Sequence, residues 1–391
     1  MFARLSLVLQ QRPLLTAVIY TGIGVFPLFL VSTQILQIEK DLGFGVGQLG
    51  IATGTYFGAS ALTAHPAGGL VARVGATKGF RMGVVLTVTA CLMVASTPTP
   101  WLIPVATALA GMGNGVIQVA ANLAIFDGVA ISRYGVAYGA KQAAVPMASV
   151  LSGIALPVIG LVFGWRWGFV LAAVLALVLV VSVPHFDTSH TEKRGEPAVG
   201  RMPPSLLFLA VAGLTGAVAG NGIALFIVPS AVEIGINEAA AGAVLAVFSV
   251  LVVAARIGIG WLVDIRRSSG HVPMLLLVSG GGLGALVLMT AAAPSLYLVA
   301  MPVALLGTWS WPGVFFFTLV QSFPEIPARA SGLGLSGNLT GTLIGPVVVG
   351  ALAAGGDYGA AWLFVALAAV VSAVAFGLSY RFAVLAGRVM S

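Results

Sequence analysis

The stretch HFDTSHTEKRGEPAVGRMP, residues 185–203, decides how the chain is read. It is polar, charged and aperiodic. It sits at the midpoint of 391 residues that are otherwise 59% hydrophobic and only 7% charged. A soluble protein of average composition carries about 25% charged residues. This chain therefore lacks the polar surface needed to face water, and it reads as a polytopic membrane protein. Residues 185–203 become a solvated linker, and the apolar runs on either side become spans.

A spanning helix needs about 20 mostly apolar residues. Twelve such runs occur, at 14–36, 46–70, 79–97, 101–126, 135–161 and 165–184, then at 204–231, 239–263, 272–293, 295–321, 328–354 and 359–381. Breakers separate them, including Thr97-Pro98-Thr99-Pro100, Ala293-Pro294-Ser295 and Gly355-Gly356-Asp357. The expected fold class is all-α, with twelve transmembrane helices in two pseudo-symmetric six-helix domains. These are residues 1–184 and 204–391, joined by the 185–203 linker.

The charges orient the bundle. With the N-terminus cytoplasmic, that side holds Arg4, Arg12, Arg73, Lys78, Arg81, Arg133, Lys193, Arg194, Arg201, Arg266, Arg267, Arg329, Arg381 and Arg388. The opposite side holds Lys40 and Arg166, and Lys141 and Arg256 lie inside spans. Positive residues favour the cytoplasmic side, so both termini and the linker are expected there, in a bacterial-type inner membrane. The net charge of +7 is then a topogenic signal, with no nucleic-acid partner implied. Arg4 and Arg12 precede a long apolar run with no small-residue cleavage site, so the first helix is expected to stay in the mature chain. A single cysteine, Cys91, excludes an internal disulfide framework and any multi-cysteine metal site.

The halves repeat. GGLVARVGATKG (68–79) and GWLVDIRRSSG (260–270) both follow the second span of their half. GMGNGVIQVAANLAI (111–125) parallels GTWSWPGVFFFTLVQ (307–321), and Arg133 and Arg329 open equivalent spans. The offset is about 190–196 residues. Duplicated halves with substrate near the midplane are the plan of many secondary transporters.

With these features the chain resembles the major facilitator superfamily over essentially its whole length. The family's loop signature, G-x-x-x-D-R-x-G with trailing basic residues, is matched by Gly68 to Gly75 with Arg73, then Lys78 and Arg81. The family's acidic position is Ala72 here; the second copy keeps it, from Gly260 to Asp264, followed by Arg266 and Arg267. The resemblance implies a latch across the cytoplasmic face from Gly68, Arg73, Gly75, Gly260, Asp264 and Arg266. Loss of the first carboxylate weakens that expectation for the first copy. In the second, Asp264 has Arg256 or a loop arginine as a candidate partner. KQAAVP (141–146), GWRWGF (164–169) and WPGVFFF (311–317) are loosely similar to the cyanate/nitroimidazole-type permease branch.

Polar residues inside the spans are the candidate site. A charge at membrane depth costs roughly 2.5–3.5 kcal/mol on insertion scales and is usually functional. Lys141, about two turns into span five, either faces a cavity and binds an anion or snorkels to the interface; Gln142 and Pro146 beside it favour the cavity. Arg256 either belongs to the loop latch, paired with Asp264 or with helix-end carbonyls, or takes a carboxylate bidentately, as an arginine of this helix does in the monocarboxylate and oxalate branches that the chain resembles. Asn114, Gln118 and Asn122 recur every four residues on one stripe, which favours a wet path over helix–helix glue. Asn221 and Asn338 sit mid-span, and Asn338 matches Gln142 under the 196-residue offset. Tyr20, Gln34, Trp309 and Trp311 are cavity walls or packing, and His65 is expected to pack. The expected substrate-binding set is Lys141, Gln142, Arg256, Asn114, Gln118, Asn122, Asn221, Asn338, Trp309 and Tyr20.

Every Asp and Glu can be placed in a loop or at a span end, so the cavity is expected to be electropositive. The expected function is secondary or facilitative transport of a small anion, an organic carboxylate or cyanate-like species, by alternating access. The alternative is proton-coupled efflux of drugs or other amphiphiles. Coupling stays open among proton symport, exchange and facilitated diffusion. A sensor would carry an extra soluble domain, for which the loops are too short. No set of nucleophile, base and orienting group occurs, and no metal-ligand cluster, so neither catalysis, cofactor nor metal is expected. The expected partners are the small-molecule substrate and the lipid bilayer, and a monomer is expected.

Overall fold

A computed structural model describes residues 2–130, 133–181, 202–266, 270–290, 293–323 and 327–387. Most of the linker, with Lys193, Arg194 and Arg201, lies outside the described residues, as do Arg267, Glu325, Arg388 and the side chains of His65 and Arg329. The first half contains α1 (Phe2–Thr33), α2 (Ile35–Leu42), α3 (Val46–Val74), α4 (Ala76–Ser96), α5 (Leu102–Gly128), α6 (Tyr134–Ala155), α7 (Leu161–Phe163) and α8 (Trp165–Val181). The second contains α9 (Pro204–Glu233), α10 (Glu238–Arg266), α11 (His271–Thr290), α12 (Pro294–Trp309), α13 (Pro312–Ser322), α14 (Pro327–Leu352) and α15 (Gly359–Leu385).

Ten helices among the described residues are long and apolar enough to cross a membrane. Of the other two expected spans, α3 has the length, 29 residues, but its Gly, Thr, Ser and His residues dilute its apolarity. The other, α8, is a shorter apolar helix of 17 residues whose end borders the undescribed segment. Two expected single spans are interrupted. Residues 135–161 run from α6 into a π-helical turn, Leu156–Gly160, which holds Pro157. Residues 295–321 break at Ser310 and Trp311 into α12 and α13, because Pro312 cannot continue the ladder.

The two halves pack by the same plan. In the first, α5 lies against α1, α3 and α4, with α6 on α1 and α8 on α4. In the second, α12 lies against α9, α10 and α11, with α14 on α9 and α15 on α11. The halves meet most extensively at two crossings, α6 on α10 and α3 on α14, which are equivalents under the repeat; α13 also packs on α6.

Glycines let the α6 and α10 backbones touch. A Cβ on Gly139 would lie 2.8 Å from the Arg256 carbonyl oxygen, one on Gly260 2.7 Å from that of Gly135, and one on Gly242 2.9 Å from that of Gly153. These contacts run from one end of the pair to the other. The α3–α14 crossing differs. Gly47 approaches Ala354, Gly50 approaches Pro346 and Gly350, and Gly54 approaches Val347. Among the described residues, a Cβ on Gly58 would reach Leu343 at 3.7 Å and one on Gly68 would meet nothing within 4 Å.

Candidate substrate-binding site

A cavity of about 190 Å³ is lined by both halves, with residues of α3 and α14 among its walls. That is space for on the order of ten water-sized positions. Nine of the ten expected site residues line it: Lys141, Gln142, Arg256, Asn114, Gln118, Asn122, Asn221, Asn338 and Trp309. Tyr20 does not. Its hydroxyl donates to the Leu179 carbonyl at 2.6 Å, and its ring packs 4.9 Å from that of Phe80, so it fastens α1 to α8 and α4. Gln34 likewise lies away from the cavity, fully buried at the end of α1 where Gly160 and Gly168 approach it.

Lys141 is buried, only 4% exposed, which removes the snorkelling alternative. Its ammonium donates to Asn122 Oδ1 at 2.6 Å. The partner is a neutral amide, and among the described residues no Asp or Glu lines the cavity. The amide stripe on α5 divides its work. Asn114 Nδ2 donates to Ser60 Oγ at 2.9 Å, gluing α5 to α3, and Gln118 Nε2 donates to Asn114 Oδ1 at 3.3 Å. One turn further, Asn122 holds the lysine. In the second half, Asn221 Nδ2 donates to the Ala217 carbonyl at 3.1 Å and reaches Thr342 Oγ1 at 3.4 Å.

Arg256 does not pair with Asp264; of the partners the sequence offered it takes a helix-end carbonyl, that of Trp309 at the end of α12. It is buried, and its Nε donates to the Trp309 carbonyl at 2.9 Å. Its Nη2 donates to the same oxygen, and its Nη1 donates to the Gln142 carbonyl on the opposite half. The guanidinium also lies 5.3 Å from the centre of the Trp309 ring, within cation–π range. Asp264 instead accepts a hydrogen bond from the Val136 backbone N–H at 2.9 Å. Val136 is in the first turn of α6, where N–H groups have no helical partner and a carboxylate is favoured. Within the loop copies, Gly260 and Asp264 therefore hold the two halves together. Gly75 turns α3 into α4 at φ +85°, a conformation that favours glycine, while a Cβ on Gly68 would meet nothing among the described residues and Arg73 and Arg266 are exposed.

Further lining residues went unnoticed in the sequence: Ser60, Tyr138, Thr342, Phe29, Phe57 and Phe316. Tyr138 and Thr342 lie one turn from Lys141 and Asn338, a spacing that could have flagged them. For Ser60 and the phenylalanines no local signal distinguishes wall from packing.

An all-helical bundle of two equivalent halves around a shared polar cavity defines an integral membrane carrier. A sequence profile described as Major Facilitator Superfamily matches residues 14–333, and the chain belongs to that family. It is a secondary transporter by general kind, a multi-pass membrane protein that binds small molecules; members of the family are transporters and not enzymes.

Proposed function

We propose that the chain carries a small anion, an organic carboxylate or a cyanate-like species, across the membrane by alternating access. The observation that carries this reading is Lys141, a buried cation whose partner is an amide, in a cavity whose lining, among the described residues, holds Arg256 and no carboxylate. An uncompensated positive site of this kind attracts anions and repels cations. The amides of Gln118, Asn122 and Asn338 supply donors to orient the ligand. On this reading residues 1–184 and 204–391 move as two bodies tied by the 185–203 linker. Both termini are cytoplasmic, so the Gly68 end of α3 faces the cytoplasm, and the cavity is reached from there when α3 and α14 part. A proton can travel on the substrate itself, which removes the need for a membrane carboxylate.

The second reading, efflux of an amphiphile, draws on the aromatic walls formed by Phe29, Phe57, Trp309, Trp311 and Phe316. Thermal-shift titration of the purified protein with monocarboxylates, dicarboxylates, cyanate and cationic drugs separates the two. Anions that stabilise the native protein and lose at least tenfold in affinity in Lys141→Ala support the first reading. Stabilisation by cationic drugs alone, or anion binding indifferent to Lys141→Ala, contradicts it.

A further inference from the structure

Proline leaves the carbonyl four residues before it without a helical donor. Pro146 in α6 does this to Gln142, and the break before Pro312 ends α12 at Trp309. Arg256 donates to both of these oxygens, one on each half. The far end of the bundle repeats the device. Pro229 in α9 leaves the Leu225 carbonyl unpaired, and Ser32 of α1 donates to it across the halves at 2.5 Å. Seam bonds between the halves are thus built on main-chain groups that their own helices cannot satisfy.

We propose that Arg256 is a positioning residue whose guanidinium substitutes for the missing N–H at Gln142, and that the substrate anion competes for the same guanidinium. This rests on the anion reading of the cavity that Arg256 lines. An arginine presents five N–H donors, of which three are used here. A carboxylate offers two charged acceptors in place of one neutral carbonyl, and charge-assisted bonds are the stronger ones. An anion drawn against Lys141 therefore pulls Arg256 away from Gln142 and loosens the bond between the halves, which links occupancy to movement.

Pro146→Ala gives Gln142 back its helical donor without removing any side chain from the cavity. The test is a double-mutant cycle on purified protein without ligand, reading melting temperature for the wild type, Pro146→Ala, Arg256→Met and the double variant. Arg256→Lys replaces Arg256→Met if the latter does not fold. The melting-temperature loss caused by the Arg256 substitution should fall by about half in the Pro146→Ala background, because one of two orphan acceptors is gone. Additive losses overturn the staple. The second arm measures binding of acetate, malonate and cyanate. The anion that binds the wild type should bind Pro146→Ala about tenfold tighter, the worth of one competing hydrogen bond to a charged group. Unchanged or weaker binding overturns the competition. If none of the three binds the wild type, the anion reading fails, and the ligand-free cycle still decides the staple.

Discussion

The α6–α10 and α3–α14 crossings are equivalents in the repeat, yet close glycine contacts run along the whole of the first and, among the described residues, only along the far end of the second. Each difference falls on a position that can be paired through the offset. A Cβ on Gly260 would meet the Gly135 carbonyl, while one on its equivalent Gly68 would meet nothing among the described residues. Asp264 holds the first turn of α6, while its equivalent is Ala72. Arg256 bonds the Gln142 carbonyl freed by Pro146, while the equivalents are Ala64, Asn338 and Thr342. The Asn338 carbonyl accepts instead from Thr342 of its own helix at 2.7 Å. Symmetric backbones with asymmetric chemistry thus give one seam that carries these fasteners and one that lacks them, and on this account the second is the one free to part.

The comparison breaks most sharply at the paired glycines. Gly260→Leu forces a branched side chain into the α10–α6 contact, and overpacking of this kind costs about 1–3 kcal/mol or more. Its melting temperature should drop by several degrees and its yield of monodisperse protein should fall. Gly68→Leu should leave both unchanged. Equal losses would mean that the two crossings are closed alike.

The carboxylates give a smaller effect. Asp264→Asn weakens a cap at a helix start, and removing such a cap altogether costs about 0.5–2 kcal/mol. It should raise protease cleavage of the α5–α6 and α10–α11 loops. Ala72→Asp should do the converse for the other pair, protecting the α3–α4 loop and slowing transport by favouring a state closed between α3 and α14. Faster transport in Ala72→Asp would contradict the assignment of that pair as the moving one.

The smallest effect belongs to a contact outside both seams. Asp41 on α2 pairs with Arg166 and accepts from Trp165 Nε1 at 3.0 Å, and these bonds hold its carboxyl below the usual carboxylate range. A depressed carboxyl contributes stability that is present above its unfolded pKa and lost as pH falls through the folded one. The pair is partly exposed and therefore worth little. Asp41→Asn should lower the melting temperature by a degree or so at neutral pH, with the gap to the wild type closing below about pH 4, and substrate affinity should not change.

Much of this was legible in the chain. Charge scarcity and the long apolar runs pointed to the all-helical membrane fold, because a bilayer leaves so few alternatives. The Lys141 and α5 amide positions pointed to the cavity, because polar groups in an apolar helix need somewhere wet or paired to go. Tyr20 misled, since a tyrosine in a span can also be satisfied by a carbonyl on another helix, and nothing near it in sequence names Leu179. Arg256 was half legible: Pro146 marks Gln142 as an orphan acceptor, but which side chain arrives there is set by how α10 crosses α6. The break at Ser310 and Trp311 was hidden inside an apolar run, although Pro312 announced it.

The central claim is that the two crossings part unequally, and spin-label distances test it most directly. Labels on Arg73 and Ser336, both exposed, span the α3–α14 crossing; labels on Arg133 and Arg266, also exposed, span the α6–α10 seam. Both pairs are measured in a Cys91→Ser background with and without a stabilising ligand. The account predicts a shift of several ångströms across α3–α14 and a narrow, nearly unmoved distribution across α6–α10. Equal shifts in both pairs, or movement confined to α6–α10, would contradict it.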